Sequence, residues 1–113
     1  MITAMGVEIV DNTFYRDFEI ANRFGRAAVL DTYRRCIAEW RTSAKYMAAL
    51  VIALNQQCWH LYEVYQQSPS TQTYDLGELY SDLYHKAYGT FLDDAEADKF
   101  SEEDVRYFFE ATD

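Results

Sequence analysis

Apolar positions along the chain recur at steps of three and four, and the strongest such pattern, Lys45 to Tyr65, is also the most hydrophobic stretch. Met47, Leu50, Val51, Leu54, Cys58, Leu61, Tyr62 and Tyr65 share one helical stripe, which Ala48, Ile52 and Trp59 widen. Between Met47 and Leu54 the apolar run is unbroken for eight residues. Crossing a bilayer takes about 20. The segment therefore reads as a central helix of a core, covered by other helices from more than one side.

The flanking patterns supply those helices. Asp11, Asn12 and Thr13 offer capping side chains to a short helix carrying Phe14, Phe18, Ile20, Ala21 and Phe24, ended by Gly25. From Arg26 to Arg41 the stripe is Val29, Leu30, Tyr33, Cys36, Ile37 and Trp40, with Asp31, Arg34, Arg35 and Glu39 outside. Ser43 is the expected N-cap of the central helix. Gln66 to Thr73 is polar and holds the only proline, Pro69, which predicts a loop. Asp75 and Glu78 resemble a capping box ahead of Leu76, Leu79, Tyr80, Leu83, Tyr84, Ala87, Tyr88 and Phe91. Ser101 is placed to cap a last helix whose first turn carries Glu102, Glu103 and Asp104, with Val105, Phe108 and Phe109 on its core side.

The expectation is an all-α fold, an irregular bundle of four to five helices in a single domain spanning residues 13–113. Residues 1–12 read as an N-terminal arm, loose or forming a short strand. No internal repeat appears, and no alternating run longer than VEIV suggests a sheet.

Composition sharpens this. Half of the 113 residues are hydrophobic, enough for a core without metal or disulfide staples. Cys36 and Cys58 lie inside helical patterns, and MITAMGVEIV lacks the basic start of a secretory signal, so reduced thiols in a cytoplasmic protein are expected. Charge is uneven: residues 1–45 carry seven basic and six acidic side chains, whereas residues 46–113 carry three and thirteen. Such acidity repels phosphates and argues against direct nucleic-acid binding. It suits imitation of a nucleic acid instead, or simply solubility.

The phrases FYRDFEIANRFG, AVLDTYRRCIAEW, KYMAALVIALN and YFFEATD resemble a family of small proteins of gut bacteria and their mobile elements, over about residues 13–113. That resemblance implies a compact helical intracellular protein. It carries no activity, cofactor or functional residue onto this chain.

Candidate chemistry is sparse. His60 with Glu63 and Asp82 with His85 are spaced to share helix faces, but their order differs between the two pairs and the further carboxylates of a di-metal bundle are missing. Asp94, Glu96 and Asp98 alternate like an EF-hand start, yet Lys99 and Val105 stand where that loop needs Gly and Glu. Cys58 and His60 do not face each other on a helix, and no glycine opens a phosphate-binding turn. No enzyme, metal or cofactor is expected. Tyr80, Tyr84 and Tyr88 form a ladder at helical spacing beside the leucine stripe, and are the candidate partner surface. The functional expectation is a non-enzymatic protein that binds another protein or itself as a homodimer, with no direct nucleic-acid partner and no membrane, as an accessory of a mobile element. The alternative is an acidic nucleic-acid mimic that inhibits a nucleic-acid-binding enzyme.

Overall fold

Five helices account for all regular structure among the described residues: α1 (Ala4–Asn22), α2 (Arg26–Trp40), α3 (Ala44–Gln67), α4 (Thr71–Glu96) and α5 (Glu102–Thr112). The computed structural model describes the backbone of residues 4–112 and the side chains of residues 13–110. The expected all-α bundle is the fold observed. α1 begins at Ala4, upstream of the caps expected at residues 11–13 and within the segment read as an arm. The side chains of that segment lie outside the described residues.

α3 occupies the centre because its first half has no polar face. Met47, Ala48, Ala49, Leu50, Ala53 and Leu54 have no exposed surface, and α1, α4 and α5 pack around them. Alanines at three of those positions let neighbouring helices approach closely. The molecule measures 43 × 28 × 18 Å, so its thinnest dimension holds two layers of helices about 10 Å across.

The helix boundaries follow from local chemistry. Ser43 and Ser101 cap α3 and α5 as expected, their hydroxyls accepting from the backbone N–H of Tyr46 and Asp104. α4 starts a full turn before the expected capping box, with Ser70 accepting from Thr73 N–H at 3.1 Å. The loop predicted over residues 66–73 therefore shrinks to Ser68, Pro69 and Ser70. Gly25 joins α1 to α2 at φ 102°, a conformation that L side chains rarely adopt.

α4 ends in a Schellman turn built on Asp98 at φ 59°: Lys99 N–H reaches the Asp94 carbonyl and Asp98 N–H that of Ala95. This turn brings the Lys99 ammonium to 3.5 Å from the Asp94 carboxylate, which is only 4% exposed. Arg41, just past α2, meets the same carboxylate with two hydrogen bonds, from Nε at 2.8 Å and Nη2 at 2.9 Å. The bidentate clasp ties the α2–α3 junction to the end of α4.

The Arg41 hydrogen bonds hold the Asp94 carboxyl below its ordinary value of 3.8, against the opposing effect of burial. A carboxylate with a depressed folded pKa contributes stability above its unfolded value and loses it as pH falls through the folded one. Asp94→Asn should therefore cost about 2 kcal/mol at neutral pH, the worth of hydrogen bonds to a charged group. Urea titrations at a series of pH values should show that difference shrinking once pH drops below 3.8. A deficit that persists unchanged into acid would mean the charge of Asp94 is not what stabilises the clasp.

Candidate functional site

The tyrosine ladder is not one continuous exposed surface. Tyr80 is fully buried: its ring meets Phe18 edge-on at 5.6 Å and its hydroxyl donates to Asn22 Oδ1. Burial raises its pKa, so it stays a neutral donor. Tyr84 and Tyr88 are half-buried against the core, and Tyr88 packs on Phe108 at 5.5 Å and Phe109 at 6.4 Å. Tyr80 is withdrawn from any partner surface because α1 covers it, and α5 packs against Tyr88, while Tyr84 and Tyr88 each keep part of their surface exposed. Helical spacing on α4 alone gives no sign of either cover.

Exposed aromatic surface lies elsewhere, at the tip of the α3–α4 hairpin. From Tyr62 to Asp75 no residue is buried, so this end of both helices stands clear of the core. Trp59, Tyr62 and Tyr74 are 59%, 53% and 52% exposed. Trp59 meets Tyr62 edge-on at 5.9 Å, and Tyr65 meets Tyr74 across the hairpin at 5.6 Å. Between the helices is a cleft of about 110 Å³ lined by Cys58, Leu61, Tyr62 and Tyr65 of α3 and by Thr73, Tyr74, Gly77 and Glu78 of α4. Gly77 keeps the cleft open, since a Cβ there would sit 3.8 Å from that of Leu61.

Electrostatics at the tip have one sign. Between Lys45 and Lys86 the chain has no Lys or Arg, while Glu63, Asp75, Glu78 and Asp82 are all exposed. On the opposite side of α4 a second, wider cleft of about 540 Å³ is lined by Asp75, Glu78 and Asp82, with Arg26 on the facing wall. Glu78 thus borders both.

The residues considered for chemistry are not assembled. His60, Glu63, Asp82 and His85 are exposed, and the His85 ring donates from Nδ1 to the Ser81 carbonyl at 2.8 Å. Among the described residues no group of three His, Cys, Asp or Glu is arranged to hold a metal ion. Burial pushes the Cys36 thiol up to about 12 and raises that of Cys58, with nearby Asp17 and Glu78 adding to the effect. Both remain thiols at neutral pH, when a nucleophile would need the thiolate. No described helix is long and apolar enough to cross a membrane.

No family model, curated protein or solved structure matches this chain.

Sequence reasoning put Tyr62 on the core stripe and Trp59 among the residues that widen it, and gave Tyr74 no role. Two signals mark the tip in the sequence. One is the polar run after Tyr65, which puts the ends of both helices near water. The other is the gap in Lys and Arg from residue 46 to 85.

Proposed function

We propose that this chain is a non-enzymatic protein-binding protein whose contact surface is the α3–α4 tip. The observation that supports it is the cluster of Trp59, Tyr62 and Tyr74, each more than half exposed beside a cleft. Rigid aromatic rings bury much area for few frozen rotamers, which is why Trp and Tyr dominate interface hot spots. An accessory role in a mobile element rests on the family resemblance.

The test is affinity capture from nuclease-treated lysate with the wild type and with Trp59→Ser and Tyr74→Ser. A partner that survives a high-salt wash and is lost from both variants supports this surface. Capture unaffected by either substitution removes the tip from the function.

The acidic-mimic reading is favoured by a different observation, the run of exposed Asp93, Glu96, Asp98, Glu102, Glu103 and Asp104 at the other end of α4. It requires a nucleic-acid enzyme as the captured partner, and release by salt, because exposed charges farther apart than about 8 Å are screened at physiological ionic strength.

A further inference from the structure

Resting on the interaction reading above, we infer that the tip cleft takes an arginine side chain presented by a basic segment of the partner protein. Size comes first. Cavities for small molecules and cofactors run to about 300–1,000 Å³, whereas this one holds about 110 Å³. It has room for one side chain.

The walls specify which. The faces of Tyr62, Tyr65 and Tyr74 carry negative quadrupole density that attracts a cation. Leu61 and Cys58 offer apolar lining to a methylene stem, and the exposed Glu78 lines the same cleft with a carboxylate for the charged head. Glu78 is close enough to the cleft for its charge to act on the Cys58 thiol. A planar guanidinium stacks on an aromatic ring and meets a carboxylate with two donors, while an ammonium does neither.

Other occupants fit less well. An apolar side chain would desolvate Glu78 and the phenol hydroxyls without partners. A second copy would set Glu63, Asp75 and Glu78 against their own equivalents, with no Lys or Arg between residues 46 and 85 to relieve the repulsion. An acidic peptide meets the same field. A basic segment meets aromatic surface and four exposed carboxylates of the hairpin together.

The experiment is a heteronuclear NMR titration of the full chain with a blocked Gly/Ser peptide carrying two arginines, and with matched peptides carrying Lys, Leu or Glu at those positions. The arginine peptide should shift the amides of Cys58, Gly77 and Glu78 saturably, more tightly than the lysine peptide, while the glutamate peptide should leave them in place. Glu78→Gln and Tyr74→Ala should each weaken arginine binding about threefold to fivefold, the range for a single cation–π or charge contact at a partly exposed site.

Gly77→Ala guards against loss of fold, since its methyl meets only ordinary contact yet narrows the cleft; it too should weaken binding while raising thermal stability. Asp104→Asn should change nothing, because α5 docks at Phe91, about 24 Å along α4 from Asp75. Shifts that spread equally to Glu102 and Glu103, or no saturable shift with any peptide, would overturn the inference. Tighter binding of the leucine peptide at the tip would also overturn it while leaving the tip a protein-binding surface. Loss of lysate capture is what would count against that broader reading.

Discussion

Phe91→Ala should destabilise the fold by about 3–5 kcal/mol, the cost of emptying a fully buried aromatic site. Phe91 has no exposed surface. Its ring stacks on Phe108 at 3.5 Å between centroids and on Phe100 at 4.9 Å, and meets the edge of Phe109 at 6.3 Å. Those three rings come from α5 and the loop before it, so this side chain on α4 joins the α3 surface in holding the C-terminal helix down. α5 has 11 residues, fewer than the roughly 12–15 at which an isolated helix becomes even marginal in water. It is a helix because it is docked.

The loss should be read in urea as a lower midpoint. The slope adds information, because it scales with the surface exposed on unfolding. An unchanged slope means the cavity is absorbed in place. A reduced slope, with fast amide exchange confined to Val105–Glu110, means α5 has already left the native state. A loss below about 1 kcal/mol would show that the aromatic stack is not the anchor.

The contrast between Phe91 and the tip shows how far the sequence was legible. Helix type was plain wherever one apolar stripe ran over three or more turns, as in α2, α3 and α4. Phe91, Leu79 and Leu83 were placed correctly inside because periodicity sees which residues share a face. It does not see where a neighbouring helix stops. Tyr80 and Tyr62 look alike in their own helices; Tyr80 is buried under α1, whereas Tyr62, near the end of α3, is more than half exposed.

Polar residues were harder still. Gln57 has no exposed surface, yet its type gives no warning of burial, since Gln is mostly found in water. Asp94 read only as one of three alternating acids that fail the EF-hand pattern, whereas its bidentate Arg41 partner lies 53 residues away in sequence. Local pattern identifies a helix and its stripe; a buried polar pair needs the tertiary fold before its partner exists.

Gln57→Leu is accordingly expected to be more harmful than its apolar gain suggests, by about 2–4 kcal/mol, the sum of an unsatisfied buried donor and an imperfect shape. The amides form a chain with one consistent direction. The Tyr80 hydroxyl donates to Asn22 Oδ1, Asn22 Nδ2 donates to Gln57 Oε1 at 3.0 Å, and Gln57 Nε2 donates to the Tyr15 carbonyl at 3.2 Å. α1, α3 and α4 are thereby joined through a polar chain in which Gln57 and Tyr80 have no exposed surface. Leucine at position 57 removes the acceptor of Asn22 Nδ2, and a branched carbon cannot follow the path of the straight amide. Tyr80→Phe removes only the terminal donor and should cost less, about 1–2 kcal/mol. Because the two act through Asn22, their effects should not add: a double-mutant cycle in urea should return a coupling above about 0.5 kcal/mol. Strict additivity would mean that Asn22 turns to other partners and that the three helices are held in register by the apolar core alone.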